Sequence, residues 1–150
     1  MFAHRRGSAS RVAAIALAAT LSIGSLAAPV SALTRLEKRL YHMINGARRN
    51  HGIRELREPN WLSRRAHRHS VRMARQGRLY HTSCLSCMFR SRRYRQLGEN
   101  VGLAGTVRRV HRLMMKHSSH RSNILGRYHS VGVGVKKNHR GVWVTEIFWG

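Results

Sequence analysis

The chain contains no aspartate, and its only acids are five glutamates: Glu37, Glu55, Glu58, Glu99 and Glu146. The missing aspartate excludes a Ser-His-Asp hydrolytic triad. A Ser-His-Glu version would need Glu99 as orienter with Ser83, Ser118, Ser119 or Ser122 as nucleophile, and no Gly-x-Ser-x-Gly elbow surrounds any of these serines. Cysteine is limited to Cys84 and Cys87. The sequence also lacks a run of ~20 strongly apolar residues, the length a membrane span needs. Its most apolar stretch, from Val12 onward, is diluted by Thr20, Ser22, Gly24, Ser25 and Pro29.

That stretch belongs to an expected export leader. His4, Arg5, Arg6 and Arg11 form a basic head, an apolar segment follows, and Val30-Ser31-Ala32 ends it with small residues. The pattern is that of a signal peptide, residues 1–32, cut after Ala32. Arg5-Arg6 is only a weak twin-arginine signal, because no bulky apolar pair follows it. The expected product is secreted, extracellular or cell-wall associated, with residues 33–150 as a single domain of a size able to bury one core.

Base is as abundant as acid is scarce. Loss of the three leader arginines takes the formal charge from +24 to +21. A balance of that kind implies salt-sensitive affinity for anionic cell-wall polymers or acidic lipids. Nucleic acid is disfavoured as a partner because an exported protein rarely meets it. The plainer reading of the charge is a solvated arginine coat spread along the chain. No sign of a homo-oligomer is present, and a monomer is expected.

Cys84-Leu-Ser-Cys87 admits three readings. In an oxidising compartment the pair suits a disulfide, and a turn can bring residues three apart to bridging distance. Closing so small a loop is worth about 2 kcal/mol. A thioredoxin-like redox motif would need a strand before it and a helix after it, and neither is evident. A zinc site made by His81, Cys84 and Cys87 would need a distant fourth ligand.

Leu36, Leu40, Met43, Ile44 and Ala47 recur three and four apart, so a helix is expected to start at Thr34 and end near Gly52. Pro59 and Asn60 open a second helix with Leu62, Ala66, Val71 and Ala74 on its core side and Gly77 at its end. His67 and His69 on that helix read as exposed or edge-packed. Residues 78–97 read as a long loop. A third helix is expected from Thr106, with Val107, Val110, Leu113 and Met114 buried, and Ser118-Ser119 breaks its pattern. Val131, Val133 and Val135, a turn near Asn138 to Gly141, and Val142, Val144 and Phe148 describe an antiparallel hairpin. Trp143, Ile147 and Trp149 make the second face of its last strand apolar too, which implies a sheet covered by helices on both sides.

Three blocks concentrate the polar chemistry: His81-Thr-Ser, Gly98-Glu-Asn and His120-Arg-Ser-Asn-Ile-Leu, followed by Val131-Gly-Val-Gly-Val. Two imidazoles and one carboxylate in a chain so poor in acid suggest a converging site that binds a metal or positions a proton. Together with Met43-Ile-Asn-Gly-Ala-Arg-Arg-Asn-His-Gly and His69-Ser-Val-Arg-Met-Ala-Arg-Gln-Gly, taken in this order, the blocks resemble the CAP superfamily, the cysteine-rich secretory, antigen 5 and pathogenesis-related-1 group, whose domain is also called SCP. The resemblance covers roughly residues 36–149 and points to a bacterial secreted member.

What the resemblance implies is an α+β fold, a three-layer α-β-α sandwich with a small antiparallel sheet, and a surface cleft where two histidines and acidic partners converge. In some members that cleft holds a divalent metal. Carried over by residue, His81 is the first cleft histidine, Glu99 the cleft acid with Asn100 beside it, and His120 the second histidine. His81, Glu99 and His120 are thus the candidate ligands of a divalent cation such as zinc. One departure weakens that expectation: the helix before His120 carries no second acid. A second, Met114 where bacterial members usually show an aromatic, reads as a different filling of the core.

The expectation for function is a secreted CAP-domain binding module without turnover, engaging a lipid, a wall polymer or a partner protein, and the reading leans away from an enzyme. One alternative is a metal-assisted hydrolase, with Glu99 as third ligand or as general base. A second is a cationic protein that adsorbs to anionic cell-wall or membrane surfaces. The plainest gives Glu99 a structural role, accepting hydrogen bonds that tie the loop to the sheet.

Overall fold

The structure, a computed structural model, describes Met1 and residues 33–90 and 92–150. The expected leader, beyond Met1, lies outside the described residues. Helix α1, Arg35–Asn50, begins with a reciprocal cap in which the Glu37 N–H donates to Thr34 Oγ1 and the Glu37 carboxylate accepts the Thr34 N–H at 2.9 Å. Helix α2 spans Asn60–Gln76, starts behind Pro59 and stops at Gly77, whose φ of 68° is the left-handed conformation that glycine adopts without strain. The segment that follows holds one short 3-10 turn, Ser86–Phe89, and the Cys84–Cys87 disulfide, with Cα atoms 5.3 Å apart.

Strand β1, Leu97–Ala104, comes next, then helix α3, Val107–Lys116, capped by Thr106, and the short helix α4, Ser118–Ile124. Strands β2, Ser130–Asn138, and β3, Gly141–Trp149, close the chain as a hairpin. The sheet order is β1-β3-β2, antiparallel throughout, with Asn100 opposite Glu146 and Gly132 opposite Ile147.

Because β3 is central and buried, its alternating side chains feed two cores. On one face, Val131, Val133, Val135, Val144 and Phe148 pack with Leu40 and Ile44 of α1 and with Val107, Val110 and Met114 of α3. On the other, Trp143 meets Met73, while Ile147 meets Leu62 and Ala66 of α2. Full burial of each such side chain is worth roughly 2 kcal/mol. The layers are therefore α1, α3 and α4, then the sheet, then α2. Gly132 and Gly134 explain how close α2 lies. A Cβ at Gly132 would overlap the Leu62 backbone, and one at Gly134 would overlap the Ala66 carbonyl carbon and the His67 amide.

The three-layer α-β-α expectation matches this architecture, and several details differ from it. β1 escaped notice because two glycines, Glu99 and Asn100 interrupt its apolar alternation. α4 escaped because Ser118 and Ser119 begin a helix instead of ending the pattern. In α2 the buried stripe runs through Leu62, Ala66, His69, Ser70 and Met73, and Val71 and Ala74 are only half-buried. Leu113 is exposed, and His111 takes a buried place on α3.

Candidate functional site

β1 organises the site because consecutive side chains on a strand leave opposite faces of the sheet. Glu99 turns toward α2 and Asn100 toward α4. The Glu99 side chain is 5% exposed, and its carboxylate accepts the Thr82 backbone N–H at 3.0 Å to Oε1 and 3.2 Å to Oε2. His69 Nδ1 lies 3.4 Å from the same Oε1 and His81 Nδ1 3.5 Å away. Burial works to raise the Glu99 carboxyl, but hydrogen bonds from His69 and Thr82 and the charge of His69 outweigh it, so the net shift is downward. Glu99 thus fastens the 81–82 segment to the sheet.

Asn100 is fully buried and joins two of the sequence blocks. Its Nδ2 donates to the His120 carbonyl at 3.1 Å and to Glu146 Oε2 at 2.9 Å, and its Oδ1 accepts from Asn123 Nδ2 at 2.9 Å. Gly98 leaves room beside it for Asn123 and Tyr128, which would meet any side chain there. The Gly98-Glu-Asn strand and the His120-Arg-Ser-Asn helix are therefore locked together by their two asparagines. Glu146, with no solvent exposure and no cation among its hydrogen-bonding partners, has its carboxyl pushed up to about 7 by burial, with the Asn100 hydrogen bond working the other way.

His120 sits on α4 with its ring 4.9 Å from that of His117. Burial lowers its pKa, and the nearby charges of His117 and His81 lower it further. Both His117 and His120 border a cavity of about 310 Å³ between α3 and β1, walled by Leu79, Leu103, Leu113 and Met114. Among the described residues, Leu113 and Leu79 are two of the few large apolar side chains left open to solvent, at 48% and 45%. The cleft is thus an apolar trough with an imidazole rim.

The structure brings His81 and Glu99 together, sets His120 within electrostatic reach of His81, and places Asn100 on the face of β1 opposite Glu99, where it holds the His120 carbonyl. Among the described residues, no three His, Cys or Glu side chains are arranged to hold a metal ion together. The only anion in the carried-over set already accepts the Thr82 amide on both oxygens.

His69 corrects the sequence reading: it is buried at 1%, packs its ring against Tyr80, and supports Glu99. Its signal was its place in the series 62, 66, 69, 73. Glu146 was missed as well, although it falls in the alternation of Val144 and Phe148 and so had to point into a core. His67, half-exposed, hydrogen-bonds Glu37 through Nδ1 at 2.7 Å.

Fold and site together define an α-β-α domain built on a small antiparallel sheet, and comparison supplies its family. The sequence profile of the cysteine-rich secretory protein (CAP) family matches residues 41–148, and the chain belongs to that family. No curated protein sequence matches it. Among solved structures it is similar to an outer surface protein of Borrelia burgdorferi, with TM-score 0.66 and 15% identity over 75% of this chain and 90% of that one. It is also similar to a venom allergen-like protein of Schistosoma mansoni, with TM-score 0.65 and 10% identity over 78% and 89%. A cysteine-rich secretory protein of Staphylococcus aureus aligns with TM-score 0.63 and 21% identity over 76% of this chain, which spans 38% of its length. At these identities the likeness is one of fold. Among the described residues no helix is long and apolar enough to cross a membrane.

Proposed function

We propose that this CAP domain is exported and acts outside the cell as a binding module without turnover, holding the apolar part of a lipid-like ligand in the trough between α3 and β1. The observation that carries the reading is the trough itself. On a surface dominated by arginine, Leu79 and Leu113 stand open beside about 310 Å³ of apolar cavity, and exposed apolar surface of this kind marks a binding groove. The basic head, apolar segment and small-residue end of residues 1–32 support export, as do relatives of the same fold described as outer surface or secretory proteins. A hydrolytic role for Glu99 is disfavoured by its commitment to the Thr82 amide and His69.

The test is titration of oleate into residues 33–150, monitored by displacement of a fluorescent fatty acid. Saturable binding weakened about tenfold or more by Leu113→Asp supports the reading, since one charge in an apolar trough costs several kcal/mol. Absent binding, or binding that Leu113→Asp leaves unchanged, overturns it. A parallel titration with Zn²⁺ is expected to give no tight site. A single tight site lost in His81→Ala, Glu99→Gln and His120→Ala alike would replace the lipid reading with a metal one.

A further inference from the structure

The fold withdraws its acids from the surface. Glu37 and Glu146 are buried, the Glu99 side chain is 5% exposed, and Glu58 is half-buried. Glu55 is the exposed exception, and Arg49 holds it at 2.6 Å. The cationic character of the exterior therefore depends on where the acids went as well as on how many arginines there are.

The effect is greatest on the outer face of α2. Leu62, Ala66 and Met73 press inward and His67 turns to Glu37, leaving Arg64, Arg68, Arg72 and Arg75 exposed along one side of the helix. Their spacing sets successive guanidinium stems about 6 Å apart in a row about 16 Å long. Arg140, donating to the Gly77 carbonyl at 2.8 Å, continues the row past the helix end. No acid occurs between Glu58 and Glu99, and among the described residues none of the four α2 arginines has a carboxylate partner.

We propose that this face is a docking ridge for a linear, base-free polymer of phosphodiester groups, the chemistry of an anionic wall polymer. Guanidinium forks pair with phosphate oxygens in two-point hydrogen bonds, and a straight row at this pitch suits an extended chain that presents one phosphate per repeat. The face carries no open aromatic on which bases could stack, which single-stranded nucleic acid binding relies on. Trp61, at the start of α2, is capped by the Arg92 guanidinium 4.2 Å from its ring centre. Nor does the row present an apolar side chain to insert into a bilayer, as membrane-surface helices do. The ridge lies on the α2 layer, across the sheet from α3, and does not depend on the trough.

The experiment measures binding of poly(glycerol phosphate) to residues 33–150 across a salt series, with oligo-dT and phosphatidylglycerol vesicles as competitors. Two double variants of equal charge are compared: Arg68→Gln/Arg72→Gln on α2 and Arg109→Gln/Arg112→Gln on α3. Four phosphate contacts predict a slope of log K against log salt of about −3, made shallower by about 1.4 in the α2 pair, with affinity at low salt falling about tenfold. The α3 pair should change affinity by less than about twofold. Circular dichroism confirms that each variant is folded. Equal losses in the two pairs overturn the ridge in favour of a diffuse coat. Tighter binding of oligo-dT or of vesicles overturns the choice of polymer.

Discussion

Asn100 Nδ2 donates to Glu146 Oε2 at 2.9 Å across the β1-β3 pairing, in a pocket that water does not reach. The carboxyl there rests against an amide with no compensating cation, and burial raises it from 4.5 to about 7. A raised acid favours the folded state fully below the unfolded value of 4.5, and the advantage fades as pH rises through about 7. Above that, an ionised Glu146 costs about 3 kcal/mol. Glu146→Gln should therefore leave urea stability at pH 5 nearly unchanged and raise it by about 2 to 3 kcal/mol at pH 8. Equal stability of the two proteins at pH 8 would mean that Glu146 finds a charged partner on ionising.

Glu99 titrates with the opposite sign. Its folded value is lowered, so its contribution is present above the unfolded 4.5 and disappears as pH falls through the lower folded value. Glu99→Gln should cost about 1 to 2 kcal/mol at pH 7, and the gap to the parent protein should close on acidification. NMR titration of His69→Ala should show the Glu99 carboxyl moving upward, because the imidazole that opposes its desolvation is gone. An unmoved carboxyl would assign the whole effect to Thr82.

Gly134→Ala tests the seam between α2 and β2. The added methyl would overlap the Ala66 carbonyl carbon and the His67 amide, atoms that cannot turn aside as a side-chain tip would. A loss of about 3 kcal/mol in chemical denaturation is expected. Gly105→Ala is the control, with nothing within 4 Å of its new methyl, and should change stability little.

Reduction of Cys84–Cys87 should lower stability by only about 2 kcal/mol, because the bridged residues are three apart and one of them is exposed. The near-ultraviolet signal of the buried Trp143 should persist after reduction. Its loss would show that the 81–97 segment holds more of the fold together than its few buried side chains suggest.

The sequence made α1, α2, α3 and the hairpin legible, because each carries an apolar period of its own and a recognisable cap or turn. β1 was illegible for the same physical reason: an edge strand holding Gly98, Glu99, Asn100 and Gly102 draws its burial from the helices packed on it instead of displaying it in its own composition. His81, Glu99 and His120 could be named from their blocks, but the 3.5 Å approach of His81 to Glu99 is set by the fold and not by their spacing. The role of Asn100 could not be read, since it depends on which face of β1 the residue takes and on Glu146 and Asn123, which are remote in sequence. His69 was misread because the arginines around it suggested a solvated helix face, whereas its angular position placed it on the buried stripe.

The buried glutamates have a consequence for which substitutions this chain tolerates. Glu37 links the start of α1 to the Val135 amide and to His67, Glu99 links the Thr82 amide to β1, and Glu146 meets the asparagine that joins β1 to α4. Each acts as a clasp between segments distant along the chain. Drift that adds or removes charge on the outside of such a molecule should be nearly free for folding, while an exchange that breaks the hydrogen bonds of an inner clasp should loosen the layers it joins. The outer charge pattern is thus released to follow whatever surface the protein meets.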